Sequence, residues 1–476
     1  MTNRISITNI CSFFLLIILL FGQFLIFSRE AKGRVGLGGD EPYCTYKAEY
    51  FAKNRALPKA NDIEMALGKK SGDSDFRAAG YPLFLAIFGL SETGFKCERW
   101  KSGLLQFLLM SAVLMILYLI ACAFLKGSKW TYLVALMLGI QPWAFEYSAS
   151  FYPDSLAASI TTLALIGLFM FIKTKKSGRE AVFLVIATLL LCLTFMLRIE
   201  RILLVPIIVF TAITIKSRKL NSILKYGCYS GLIFILFCGL QIGYRHYLTG
   251  KAELIPKYRW NGQGALDWTY TWFGTEKSSG QGFAYGSADK RLEKLPPRAF
   301  GDDYEKQEIT RALSLYAKSG YTEEVDRIFE AVANKRIKDN FLVNYGLTRV
   351  WRATSLWVNN ETNAQVLNVL KSPPKIIRKS ILGMLLILKL IIYLLAVISL
   401  FMVFKHLRRR SLSGYHYLTI LMLLNIFFIT VFFGLVFGDN EHRYVLGAWP
   451  AMLWCAISAI IDLSKRRERS FIKYEL

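Results

Sequence analysis

Ten stretches of apolar residues run along the chain at 7–27, 104–124, 130–147, 155–172, 181–197, 202–216, 226–247, 379–404, 415–437 and 445–463, separated by charged segments. A helix of about 20 apolar residues crosses the hydrocarbon core of a bilayer, and backbone polar groups in that core must be satisfied within the helix itself. The pattern therefore predicts an all-α polytopic membrane protein with about ten (nine to twelve) transmembrane helices. Two polar segments are far longer than the rest, residues 28–103 and 248–378. They divide the chain into an N-terminal transmembrane module, 1–247, that carries the first loop, a large second loop, 248–378, and a C-terminal transmembrane module, 379–476.

Neither long loop reads as a plain linker. In the first, the brief apolar stretch Tyr81–Leu90 is too short to span and is expected to lie at the membrane interface. The second opens on a Gly- and aromatic-rich part with Trp260, Trp268, Tyr270 and Trp272, then turns helical, with Ile309, Leu313 and Tyr316 followed by Val325, Phe329 and Val332 on repeating faces. Trp351 and Trp357, beside Arg349 and Arg352, are expected near the lipid headgroups.

Charge changes the picture by its placement. The chain is 54% hydrophobic and 20% charged, with a net charge of +25. Such a balance can signal nucleic acid, but here the cations fall between apolar runs. With Arg4 cytoplasmic, the alternate short segments at Lys126–Lys129, Lys173–Arg179, Lys216–Lys225, Lys405–Arg410 and Lys465 onward are cytoplasmic too. They are rich in Lys and Arg and hold only three acids, Glu180, Glu468 and Glu475. Both termini and no nucleic-acid partner follow from that topology: the termini face the cytoplasm, and the long loops face outward. Phe27-Ser28-Arg29-Glu30 lacks a small-residue cleavage site, so the first run is expected to remain as a helix. Six of the eight cysteines lie inside apolar runs; Cys44 and Cys97 both lie in the first exterior loop, where a disulfide between them is plausible and two free thiols are the alternative.

Charged residues recur at exterior helix ends: Asp40-Glu41 after the first run, Asp154 between the third and fourth, Arg198-Ile199-Glu200-Arg201 between the fifth and sixth, and Asp439-Asn440-Glu441-His442-Arg443-Tyr444 before the last. Charges beside a bilayer are costly. Carboxylates and guanidiniums gathered at one face suit an anionic lipid headgroup, because Arg donates paired hydrogen bonds to phosphate and a carboxylate accepts a proton from a hydroxyl. The plainer alternative is that each sits solvated among headgroups and pairs with a neighbour.

In order and spacing these residues resemble a GT-C class membrane glycosyltransferase of the bacterial family 39-like branch, akin to protein O-mannosyltransferases and the aminoarabinose transferase of lipid A. The resemblance rests on Asp40-Glu41-Pro42-Tyr43 with Ala48; on Arg77-Ala78-Ala79-Gly80-Tyr81-Pro82, its most specific element; on Pro142 and Asp154; on Arg198-Ile199-Glu200 with Pro206; and on Glu441-His442-Arg443-Tyr444 with Pro450. It implies a polyprenyl-phosphate sugar donor, a glycan, lipid or protein acceptor, and inverting transfer on the exterior face of a bacterial inner membrane. Asp40 is then the base, with Glu41 as substitute and Asp154 orienting it or the acceptor. Arg77, Arg198, Arg201 and Arg443 are assigned to the donor phosphate, with Lys389 as a further candidate whose alternative is to snorkel to the headgroups. Tyr81, Glu200, Glu441 and Tyr444 support them. No metal ligand set is expected, because His246 and His442 lack spaced partners and His406 and His416 fall on the cytoplasmic side; no cofactor is called for, and a divalent ion stays open. A transporter or flippase of a lipid-linked sugar is the competing class, disfavoured because the charges sit at one face and no internal repeat appears. A ligase or polymerase of lipid-linked glycans would use a similar exterior site.

Overall fold

The computed structural model describes residues 6–33, 41–67, 78–91, 94–145, 148–176, 178–254, 263–272, 295, 297–319, 322–358, 374–437 and 443–474. Among them the regular structure is helical, apart from an isolated antiparallel bridge between Leu90 and Cys97. In chain order the helices are α1 (Ile7–Gly33), α2 (Glu41–Asn54), α3 (Ala60–Leu67), α4 (Gly80–Phe88), α5 (Arg99–Leu125), α6 (Trp130–Gly139), the single turn α7 (Pro142–Phe145), α8 (Asp154–Lys173), α9 (Arg179–Leu197), α10 (Leu204–Lys216) and α11 (Leu220–Thr249). There follow α12 (Gln263–Trp272), α13 (Asp303–Ser319), α14 (Glu323–Asp339), α15 (Thr348–Val358), α16 (Lys375–Arg408), α17 (Gly414–Ile429), the turn α18 (Arg443–Leu446) and α19 (Trp449–Tyr474). π-helical turns at Leu342–Leu347 and Thr430–Phe437 lead into α15 and extend α17.

Seven helices among the described residues are long and apolar enough to cross a membrane, in α1, α5, α8, α9, α11, α16 and α17. The chain is a polytopic all-α membrane protein. The other three apolar runs take different forms for local reasons. The run at 130–147 stops at Gly139 and restarts as α7 at Pro142, whose ring cannot continue the preceding helix. The run at 202–216 opens as the 3₁₀ turn Ile199–Leu203 and leaves only the thirteen residues of α10. In α19 the apolar start gives way to Asp462, Lys465 and Arg466.

The chain forms two compact units, one of Met1–Leu254 with Asn360–Phe427 and Leu446–Leu476, the other of Ile255–Asn359 with Phe428–Val445. In the first unit α8 and α9 pack closely. Small side chains on α8, among them Ala157, Ala158, Thr161 and Ala164, are fully buried, and a Cβ on Gly167 would meet that of Ala187 at 3.1 Å. Without a hydrophobic drive between helices in lipid, this close backbone approach and its dispersion contacts hold the pair. On α1 the opposite logic holds: Phe14, Ile18, Phe21 and Leu25 are exposed along one stripe, the surface a helix turns to acyl chains. At the far end of α17, Tyr415 donates to Asp462 Oδ1 at 2.5 Å, and His416 Nε2 lies 3.3 Å from Oδ2. The Ser413 N–H donates to His416 Nδ1 at 2.9 Å, so the imidazole proton belongs on Nε2, directed at Asp462.

α4 carries the expected interfacial stretch, but Tyr81, Pro82 and Leu85 are buried rather than facing lipid. Gly80 decides this. A Cβ there would lie 2.5 Å from the Met196 carbonyl oxygen, so only glycine lets α4 cross the end of α9.

The second unit has its own core, in which Trp268 and Trp272 of α12 pack with Ile309, Leu313, Val325, Phe329 and Val332. A buried pair braces it: Arg336 Nε donates to Glu305 Oε2 at 2.6 Å while its Nη2 donates to the Ala299 carbonyl at 2.7 Å. Arg352, expected near the headgroups, is sealed inside the unit. It is 1% exposed, with its guanidinium 4.2 Å from the Tyr270 ring centroid, because a cation over an aromatic face inside the unit replaces solvation. Trp357 donates through Nε1 to Thr430 Oγ1 at 3.0 Å.

Replacing Gly80 with alanine is expected to cost about 1–3 kcal/mol through overpacking, read as a lower Tm in detergent. Glu305→Ala leaves the Arg336 cation buried without its carboxylate. A loss of about 3–5 kcal/mol is expected, seen as faster amide exchange in α13 and α14 with the transmembrane helices unaffected.

Candidate functional site

The site is built where α2, α4, α8 and α9 end together. Asp154 is the first residue of α8, placed there by the preceding Pro153, and its charge complements the helix N-terminus. Arg198 caps α9 in extended backbone, which swings its side chain back toward α8. The guanidinium bonds Asp154 Oδ1 through Nη2 and lies 3.3 Å from Glu200 Oε1 through Nη1. Asp154 is 2% exposed, and its Oδ2 has no hydrogen-bond partner among the described residues. One arginine thus holds two carboxylates.

Beside this group opens a small cavity of about 40 Å³, lined by Cys44, Ala78, Tyr81, Pro82, Tyr152, Pro153, Leu197, Arg198, Ile199 and Glu200. Its wall is apolar and aromatic except at Arg198 and Glu200, the composition that orients an amphiphilic ligand by a few polar contacts. Tyr81 is positioned from behind: Gln106 donates to its hydroxyl at 3.2 Å, and the hydroxyl donates to the Ser150 carbonyl at 3.4 Å. Burial raises the Tyr81 phenol well above its ordinary value, so it stays neutral and can only share its proton.

Glu41 begins α2 and is fully buried. Its Oε2 accepts from Arg99 Nη2 at 2.9 Å and its Oε1 from the Phe151 N–H at 3.0 Å, while the Arg99 guanidinium lies 5.1 Å from the Phe151 ring centroid. With both oxygens committed, Glu41 clamps α2 to α5 and to the turn before α8. That differs from the expected role of substitute base. Arg201, expected at the donor phosphate, is also turned inward: 4% exposed, it donates to the Ala157 carbonyl at 3.1 Å and to Thr161 Oγ1 at 2.5 Å. Burial lowers its guanidinium to about 10, which leaves it cationic at neutral pH. It ties the 3₁₀ turn to α8 and so sets the position of Arg198 and Glu200.

Lys389 is 2% exposed within α16, its Nζ 5.8 Å from the Tyr393 ring centroid, so it is enclosed by protein rather than reaching along lipid. Cys44 and Cys97 are not joined by a disulfide. They share one apolar cluster, and burial raises the Cys97 thiol, keeping it protonated. Asp40, Arg77 and Glu441 lie outside the described residues, as do the side chains of Arg443 and Tyr444.

Three cations escaped sequence reading. Arg99 looks like an ordinary charge at a helix start. Lys47 is 1% exposed and donates to the Tyr244 hydroxyl at 3.2 Å. Arg245 is 2% exposed, with Nε and Nη1 lacking hydrogen-bond partners among the described residues and Nη2 3.6 Å from Glu253. Arg245 alone carried a usable signal, a cation inside the apolar run 226–247.

For metal ligation, His406, His416 and Asp462 bring one donor atom each within 4.8 Å of one another. The proton on His416 Nε2 argues against an ion there: metal binding at Nε2 would move that proton to Nδ1, against the Ser413 N–H.

No protein-family model matches the chain, and no curated protein matches it. Among solved structures, two crystal forms of the oligosaccharyltransferase of Archaeoglobus fulgidus are similar to it, one in complex with Zn and sulfate, the other in the apo form. The TM-scores are 0.44 and 0.45 at 13% and 12% identity. Each alignment covers 93% of this chain, and 48% and 50% of the archaeal chains, so this chain spans about half their length.

Arg99→Met removes the guanidinium from a buried carboxylate, and a loss of about 3–5 kcal/mol is expected. A lower Tm together with new protease cleavage in α2 would show it; an unchanged Tm would mean that Glu41 does not clamp α2.

Proposed function

We propose that this protein is a GT-C type membrane glycosyltransferase that moves a sugar from a polyprenyl-phosphate donor to an acceptor hydroxyl on the exterior face of a bacterial inner membrane. The observation that carries the reading is the Asp154–Arg198–Glu200 group beside a largely apolar cavity at the ends of membrane helices. A lipid-linked sugar phosphate needs those three surfaces: a cation for the phosphate, carboxylates for sugar hydroxyls, and an apolar wall for the first part of the lipid.

In this mechanism Asp40 takes the proton of the acceptor hydroxyl as its oxygen attacks the anomeric carbon from the face opposite the phosphate. The bond between anomeric carbon and phosphate oxygen breaks, the polyprenyl phosphate leaves with the electron pair, and the configuration inverts. Arg198, with Arg77 and Arg443 from the flanking motifs, offsets the charge growing on the leaving phosphate, an effect of about 3–4 kcal/mol for a single well-placed donor. Asp154 accepts from the incoming hydroxyl or a sugar hydroxyl through Oδ2. Glu41 and Arg201 act as positioning residues only.

The test is transfer of labelled sugar from a polyprenyl-phosphate donor pool by the purified protein, with donor binding measured in parallel. Asp40→Asn is expected to bind donor and to lose about 10²–10⁴-fold in turnover. Arg198→Ala should weaken both donor binding and transfer. Passage of donor across the bilayer with no transfer, and indifference to Asp40→Asn, would replace the enzyme with a transporter.

A further inference from the structure

The helix formed by the π turn Leu342–Leu347 and α15 presents an apolar stripe that the second unit does not cover. Leu347, Val350 and Trp351 are exposed by 55%, 58% and 52%, at the i, i+3, i+4 spacing of one helix face, and Phe341 and Leu342 extend it by 61% and 68%. The opposite face is committed to the unit's interior, through Arg352 at 1% and Leu356 at 0%. From 341 to 358 there is no acidic residue, and Arg349 lies over the Tyr345 ring at 3.9 Å, away from the exposed stripe.

The depth of this helix is set by its C-terminal contact. Trp357 donates to Thr430 Oγ1 at 3.0 Å, and Thr430 belongs to the final turns of the membrane span Gly414–Phe433. That contact puts the C-terminal end of the helix at the level where hydrocarbon meets headgroups.

We propose that 341–358 is an in-plane interfacial helix whose Leu347–Val350–Trp351 face is immersed in the bilayer. The occupant of the stripe is the lipid surface itself: acyl chains meet Leu347 and Val350, and the Trp351 indole sits at the boundary. Aliphatic and aromatic residues on one face, with no acids, fit that environment. Immersion reaches about 5–10 Å for helices of this kind. The π turn widens the helix by one residue per turn at its start, which brings Phe341 and Tyr345 into a stack at 5.0 Å. The inference stands apart from the transferase reading, since it concerns how the second unit is held at the membrane.

The experiment places p-benzoylphenylalanine at Val350, at Leu347 and, as an aqueous control, at Glu323 in the full chain, reconstituted in nanodiscs of phosphatidylcholine and phosphatidylglycerol. After irradiation, intact mass spectrometry is expected to show phospholipid adducts at both Val350 and Leu347 and their loss at Glu323. Covalent dimers at Val350 and Leu347 without lipid adducts would assign the stripe to a second copy and overturn the proposal. Absence of adducts at both positions, in protein that elutes as wild type, would overturn it as well.

Discussion

A carboxylate in a helix bundle surrounded by lipid has no bulk water to turn to, and the ionised form survives only beside a cation and hydrogen-bond donors. The functional region of this protein depends on that constraint. Glu41 is held by Arg99 and the Phe151 N–H, Asp154 and Glu200 by Arg198, and the Glu41–Arg99 and Asp154–Arg198 pairs each tie together helices distant in sequence. The same contacts that neutralise charge therefore fix the relative placement of α2, α5, α8 and α9. Where one oxygen, Asp154 Oδ2, is left without a partner among the described residues, the arrangement departs from structural economy, and such departures are expected where a ligand completes the bonding.

Arginine serves two ends in this region, and the distinction lies in what surrounds each guanidinium. Arg201 spends its donors on the Ala157 carbonyl and Thr161 and behaves as a peg between the 3₁₀ turn and α8. Arg198 lines a cavity and bridges two acids. The two stand three residues apart, yet the extended cap at Arg198 and the tight turn that follows send their side chains to different places. The π turns show a comparable local choice: one extra residue per turn reorients the helix faces at Leu342–Leu347 and at Thr430–Phe437.

Much of the architecture was legible because a bilayer imposes a one-dimensional code. Long apolar runs must be helices, and seven of the ten appear as helices of spanning length. The breaks in the remainder came from residues visible in the chain, Pro142 and the charges of α19, although hydropathy alone did not weigh them. Parts of the candidate site were legible for a related reason: Asp154, Arg198 and Glu200 were conspicuous as charges where loops were too short to solvate them. Arg99, Lys47 and Arg352 were not, because a cation at a helix end or in a long polar loop looks the same whether it faces water or is sealed beneath an aromatic ring.

The sequence by itself determined the all-helical membrane class, the two long polar segments and the charged helix ends, since each follows from local hydropathy and from the cost of charge near lipid. Only the tertiary structure decided which charges meet. That Arg198 reaches back across 44 residues to Asp154, that Glu41 is a clamp with both oxygens engaged, and that Arg352 is buried while Val350 and Trp351 face outward all depend on helix packing. Local pattern sets which face of a helix is polar; the neighbour that covers it is a property of the whole fold.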